Sequence, residues 1–220
     1  ERESLDRLPS ESGHAGSAPT SLANLEDANL QLPRLERFEV VTQEASISDA
    51  SGKRPGNSWG GHQTRTLRMQ NGDVYTVFLR TGATFDGSQW QLMRRDAAGW
   101  QPVESGVAGR EPVNILRMPN DGIAVVAWPN GTPLLTMLDF HNGRMVRREV
   151  PIPGQWENSH WPYNAAGAGV DGTLCVLQSD LGLSPGAFSW ASCSSLDGNW
   201  DFHNTPLKYR ECYAYVLPAG

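Results

Sequence analysis

Polar and apolar positions along this chain fall into a motif that recurs three times. Leu67–Arg80 reads LRMQNGDVYTVFLR, Leu116–Asn130 reads LRMPNDGIAVVAWPN, and Ala168–Asp180 reads AGVDGTLCVLQSD. Each copy is a short strand, a turn built on Asn-Gly or Asp-Gly, and then a strongly apolar strand. The turn glycines Gly72, Gly122 and Gly172 recur every 50 residues. Such a period marks one structural unit used repeatedly. The Asn-Gly and Asp-Gly turns supply the positive φ angles of a tight, right-twisted hairpin. The expected fold class is therefore all-β. The period suits a β-propeller, whose blades run ~40–50 residues.

The pattern predicts four strands, A to D, in each unit. Unit one places them at His62–Met69, Asp73–Arg80, Trp90–Asp96 and, after an Ala97-Ala98-Gly99 turn, Trp100–Glu104. Unit two places them at Val113–Met118, Ile123–Trp128, Leu134–Asp139 and Met145–Pro151, the last pair joined by Asn142-Gly143. Unit three gives Asn164–Val170, Thr173–Gln178, Phe188–Ser194 and, after Asp197-Gly198, a strand reaching about Lys208. The B strands VYTVFL, IAVVAW and TLCVLQ are nearly continuous apolar runs, as expected of strands covered on both faces. The small residues of NAAGAGV suit a strand crowded near a propeller axis; close approach of a ligand is the rarer explanation.

Residues 1–36, rich in Ser, Glu, Asp, Ala and Pro, read as a flexible leader or linker, with a short helix over Leu22–Leu30 that Ser21 could cap. Residues 37–220 read as the propeller, with blades at about 62–112, 113–162 and 163–212 and the start of a further blade at 213–220 (YAYVLP at Tyr213–Pro218). RFEVVT at Arg37–Thr42 is placed to complete a blade from the other end of the ring. About three blades are too few to close a ring, which takes ~4–8. The chain thus reads as part of a larger, seven-bladed-type ring. Were it to end at Gly220, its open blade edges would favour self-association.

Composition narrows the partners. The net charge is −6 with no basic run, which argues against nucleic acid, a ligand that calls for clustered Lys and Arg. An anionic substrate held by a few arginines remains compatible. No run approaches the ~18 apolar residues of a membrane span, and no signal peptide is visible from Glu1 onward. Cys175, Cys193 and Cys212 all fall in unit three without a CxxC pair, so a zinc site is not indicated; one disulfide plus a thiol and three thiols both fit. Nothing calls for a cofactor, and a structural calcium or zinc ion stays open. The 8 Trp residues suit either wedges between blades or platforms for sugar rings. No GxSxG, P-loop, HExxH or dinucleotide fingerprint occurs. Asn130-Gly131-Thr132 is a formal glycosylation sequon.

Blade topology separates short A–B and C–D turns from longer B–C and D–A connections, and function is expected on the longer ones. That end collects His62, Arg65, Arg80, Asp86, Arg110 and Glu111 around unit one. It gains Trp156, Glu157, His160, Trp161 and Tyr163 before unit three, and Tyr209, Arg210, Glu211 and Tyr213 after it. The stretch QWENSHWPYN at Gln155–Asn164 is the densest. Its indoles suit sugar faces, and His with Tyr can supply a base and an acid. The plainer reading is a loop whose aromatics cap a blade. His141 and His203 belong to the opposite end, and His14 to the leader.

These residues resemble the BNR-repeat, sialidase-like propellers from about His62 onward. TRTLRMQNGDVYTVFLR is similar to the early sialidase strand pair that opens and closes on arginine, here Arg65 and Arg80. Thr66-Leu67 stand where that family has Ile-Pro. Degenerate Asp-box turns are SLDGNW at Ser195–Trp200 and RRDAAGW at Arg94–Trp100. The chain also resembles the ulvan-lyase-type polysaccharide lyases, in GGHQTRT (Gly60–Thr66), HWPY (His160–Tyr163) and YRECY (Tyr209–Tyr213). That resemblance implies β-elimination on a uronate glycan, with His62, His160, Tyr163, Tyr209 and Arg210 as catalytic candidates. Arg65, Arg80, Trp156, Trp161 and Tyr213 are then the substrate-binding candidates. The partner implied is a polysaccharide, and the location secreted or periplasmic. A sialidase-type hydrolase and a non-catalytic glycan- or protein-binding propeller are the alternatives.

Overall fold

A computed structural model describes residues 41, 64–80, 88–109, 113–141, 144–156, 163–180, 187–194, 199–206 and 216–217. Among them the chain is all-β, with twelve strands in three four-stranded antiparallel sheets. Sheet 1 holds β1 (Thr66–Arg68), β2 (Val74–Arg80), β3 (Gln89–Asp96) and β4 (Gly99–Val107). Sheet 2 holds β5 (Asn114–Arg117), β6 (Ile123–Ala127), β7 (Leu134–His141) and β8 (Arg144–Pro151). Sheet 3 holds β9 (Tyr163–Ala168), β10 (Leu174–Asp180), β11 (Ala187–Cys193) and β12 (Asp201–Pro206). Each is a meander in which spatial order follows chain order. The leader, most of RFEVVT, the Asn142-Gly143 and Asp197-Gly198 turns and most of YAYVLP lie outside the described residues.

The sheets meet along their first strands. β5 packs against β1 and β2 on one side and β9 on the other. Ile115 N donates to Thr64 O at 2.8 Å, and Thr64 N donates to the Asn114 side-chain oxygen at 3.3 Å. The fourth strands lie at the far margin of each sheet. The arrangement is blade-like, and the described residues do not close a ring.

Two hydrophobic cores fill the spaces between sheets, and the pleat of sheet 2 serves both. Successive strand residues point to opposite faces. Ile115, Ile123, Val125, Ala127 and Leu138 accordingly turn toward Tyr75, Val77, Leu79, Trp90 and Leu92 of sheet 1. Leu116, Ala124, Val126, Leu135 and Met137 turn toward Ala166, Leu174, Val176 and Ala191 of sheet 3. β6 is buried at all five positions, which explains its unbroken apolar run. Each large side chain buried this way contributes about 1.5–3 kcal/mol. β8, by contrast, carries Arg144, Arg147, Arg148 and Glu149 on a largely exposed strand, and charges along a sheet edge discourage further strand pairing.

Trp90 is wedged between sheets 1 and 2, as the packing role predicts for tryptophan. Across the β3–β4 ladder it faces Gly106, where a side chain would meet the indole at 2.7 Å. Arg147 of sheet 2 lies with its guanidinium carbon 5.7 Å from the Trp90 ring centroid. It donates to Glu104 Oε1 at 3.2 Å and Ser105 O at 2.7 Å and also pairs with Glu149, so β8 is tied to β4.

The A–B turns carry one positive φ each, where a two-residue type I′ hairpin would carry two. Each is a three-residue loop with one left-handed position: Gly72 at φ 92, Asp121 at φ 60 and Gly172 at φ 90. Met69, Met118 and Gly169 each close the turn on both sides, donating to Asp73, Gly122 and Thr173 and accepting from Gly72, Asp121 and Gly172. The residue before the left-handed one is Asn71, Asn120 or Asp171. Its side-chain oxygen accepts the backbone N–H two residues on, at 2.9 to 3.1 Å. This is an Asx turn, in which the side chain mimics a backbone turn. Gly122 is therefore not the left-handed residue of its copy. Its glycine is needed for space, since a Cβ there would lie 2.7 Å from Asp139 Oδ1 and 3.3 Å from Leu138 O.

A paired substitution tests this assignment. Gly122→Ala is expected to destabilise by about 1 kcal/mol, because Asp139 must swing aside and give up the hydrogen bond donated by Asn120 Nδ2. Asp121→Gly relieves a left-handed conformation but loses the contact of Asp121 Oδ1 with Gln70 N, and should stay within about 0.5 kcal/mol of the parent. Urea unfolding midpoints would report both; the reverse order would mean the turn is misassigned.

Candidate functional site

At the end bearing the longer connections the β3–β4 and β7–β8 ladders each run on by one backbone bond, and one further bond joins sheet 1 to sheet 2. Ala108 N donates to Ser88 O at 2.8 Å and Trp128 N to Ala108 O at 3.0 Å. Ile152 N does the same to Pro133 O at 3.0 Å. Beyond β6 the chain makes a single 3-10 turn at Pro129–Gly131, which carries the exposed Asn130 of the sequon at φ 52.

Four candidate residues are described at this end, and they are divided among different faces of the sheets. Arg65 lies opposite Val77, to whose N–H its carbonyl accepts at 3.0 Å. Opposed residues share a face, so Arg65 shares the face that packs on sheet 2, and burial lowers its pKa from the ordinary arginine value. Arg80 ends β2 on the other face, where its Nη1 donates to Gln91 Oε1 at 3.4 Å. Gln91 is held in turn by its amide donating to Glu104 O at 2.8 Å. Trp156 fills the space between sheets 2 and 3. It meets Trp128 edge-on at 5.3 Å and Phe202 edge-on at 5.0 Å, and its indole N–H donates to Ile152 O at 3.2 Å. Tyr163 opens β9 opposite Ser179 and is 8% exposed.

His62, His160, Trp161, Tyr209, Arg210 and Tyr213 lie outside the described residues, as do Asp86, Arg110, Glu111, Glu157 and Glu211. His203 stacks on Trp190 at 4.1 Å, with Nε2 2.9 Å from Asp201 Oδ2. Neither Cys175 nor Cys193 is in a disulfide. Their partners across the β10–β11 ladder are Ser192 and Leu174, which places them on opposite faces of sheet 3; burial pushes the Cys175 thiol up. Among the described residues no group of three or more His, Cys, Asp or Glu could hold a metal ion, and no helix is long and apolar enough to cross a membrane.

A second feature had no clear signal in the sequence. A cavity of about 590 Å³ lies where the first strands of the three sheets approach one another, toward the A–B turns. Its wall includes Thr64, Leu67 and Gln70 of unit one, Ile115–Pro119 of unit two, Ala166–Val170 of unit three, and Val216. The one hint was the small-residue strand NAAGAGV, which supplies an entire side of the wall.

Comparison with protein families, with curated proteins and with solved structures finds nothing that matches this chain. Its class is defined by its own architecture: the described residues are all-β and form three blade-like, four-stranded sheets that meet along their first strands.

Proposed function

We propose that this chain is a carbohydrate-active protein of the propeller type whose reaction is β-elimination in an acidic, uronate-containing polysaccharide. The observation that supports the reading is topological. The A–B turns of the three sheets lie together, with Gln70 N donating to Asp121 Oδ1 and Gly172 beside Pro119, so the strand ends that lead into the B–C and D–A connections share the other end, and the sequence of those connections is rich in His, Tyr, Trp and Arg.

In this mechanism His62 or His160 removes the proton beside the uronate carboxylate. Arg210 neutralises that carboxylate as enolate character builds, the point at which a fixed cation lowers the barrier most. Tyr163 or Tyr209 protonates the departing glycosidic oxygen. The C–O bond breaks, a carbon–carbon double bond forms, and no cofactor takes part. Trp161 and Tyr213 supply the sugar platforms, while Trp156 is committed to packing. A glycan polymer as substrate would place the protein outside the cytoplasm, secreted or periplasmic.

A non-catalytic glycan-binding propeller is the second reading. It is favoured by the opposite faces taken by Arg65 and Arg80 and by the packing of Trp156 between Trp128 and Phe202. The same geometry weakens the sialidase-type alternative, which pairs Arg65 and Arg80 on one carboxylate, because the two stand on opposite faces of sheet 1.

The test is to incubate the protein with a panel of polyuronates and follow the ultraviolet absorbance of the unsaturated product. The expected result is a rising absorbance that falls about 100-fold or more in His62→Ala or His160→Ala, the usual contribution of a general base. Absence of signal with every polymer would overturn the eliminative reading.

A further inference from the structure

We propose that the cavity between the first strands is a binding site for a carboxylate-bearing sugar unit, separate from the catalytic end. Its volume of about 590 Å³ falls within the ~300–1,000 Å³ typical of small-ligand sites. Two features of the wall select the ligand.

The first is charge. Arg117 is the one ionised side chain among the described lining residues. It is exposed, and no described carboxylate lies within ion-pairing distance of its guanidinium. A guanidinium offers a planar fork of donors that matches a carboxylate.

The second is the character of the remaining wall. Five consecutive residues, Ala166 to Val170, line it. Alternate side chains of a strand point to opposite faces, so a consecutive run lines a cavity with its backbone edge. Gly167 and Gly169 leave that edge bare. Alternate residues of an antiparallel strand bond toward its partner; Gly169 bonds across the turn to Thr173 and Gly172, so Ala166 and Ala168 are the residues of this run whose amide and carbonyl groups turn away from β10 and toward hydroxyls. Leu67, Val170 and Val216 add apolar surface for the C–H face of a ring. Backbone edge, apolar patches and one arginine together suit a polyhydroxylated ring with a single carboxylate.

The site lies toward the short turns, away from the connections assigned to catalysis, so the two proposals fail separately. Calorimetric titration of the full chain with sodium D-glucuronate and with D-glucose tests it. Glucuronate is expected to bind, with glucose at least about tenfold weaker, as loss of a charge-assisted hydrogen bond implies. Arg117→Gln should weaken glucuronate by a similar factor while leaving polyuronate cleavage unchanged. Arg68→Gln, at the matching exposed position of β1, should bind as the parent does. Val170→Glu, at a position 84% exposed, should repel the carboxylate without disturbing the fold. No binding by the parent, equal binding of glucose, or unchanged affinity in both Arg117→Gln and Val170→Glu would overturn the assignment.

Discussion

Trp90→Ala is expected to lower the stability of this protein by about 3–5 kcal/mol, the range for removing a large aromatic from a packed core. The indole is 1% exposed and belongs to the core shared by sheets 1 and 2. Three neighbours were shaped around it. Gly106 provides the space for the ring, Leu79 lies beside it in register, and Arg147 reaches across from β8 to lie over its face. Truncation would leave a void bounded by strand backbone on two sides, which cannot collapse into it. The loss should appear as a lower urea midpoint with little change in slope, because the native surface stays the same. A shift below about 0.5 kcal/mol, the ordinary range for a surface change, would mean that sheets 1 and 2 do not meet through Trp90.

Gly109→Ala should rank next, at about 2–4 kcal/mol, through a backbone clash combined with strain. Gly109 stands at φ 87 and forms a parallel bridge to Trp128. A Cβ built there would lie 2.2 Å from Trp128 O, so the substitution forces the end of sheet 1 away from sheet 2. Gly99 is the natural control. It also has positive φ, at 120, but a Cβ there meets nothing within 4 Å. Gly99→Ala should therefore cost only the conformational strain, about 1 kcal/mol. Thermal or urea unfolding of the two variants side by side separates crowding from backbone preference. Equal losses would show that the approach of Gly109 to Trp128 contributes nothing.

Much of the architecture was legible because apolar alternation survives in the sequence unchanged. The strand pattern of each unit, the double-sided burial of IAVVA and the wedging of tryptophans all follow from where apolar residues recur. Turn geometry was harder to read. Strand ends at Met69 and Asp73 leave three residues for the first turn, but an Asn-Gly pair on its own equally suits a two-residue hairpin, which would set Arg65 opposite Phe78 and on the same face as Arg80. The actual three-residue loop moves the pairing by one, setting Thr66 opposite Thr76 and Arg65 with Val77. A one-residue slip exchanges the faces of a strand. The relation between two candidate arginines thus depends on whether one turn holds two residues or three, a difference the dipeptide does not encode.

Of the proposed site, the sequence revealed which residue types gather on which connections. It revealed little of what their side chains do. Trp156 reads as a sugar platform in QWENSHWPYN, but its partners Trp128 and Phe202 lie 28 and 46 positions away along the chain. The central cavity was equally hidden, because its wall is assembled from stretches of all three units.

The double allegiance of β6 has a consequence for how the molecule comes apart. Val125 and Val126 are neighbours in the chain, yet one belongs to the seam with sheet 1 and the other to the seam with sheet 3. A disturbance that frays either seam must bend the same five-residue rod and so slackens the other. Among the described residues the three sheets are alike in plan but unequal in standing: the first and third each pack on the middle one, and its dissolution would loosen both.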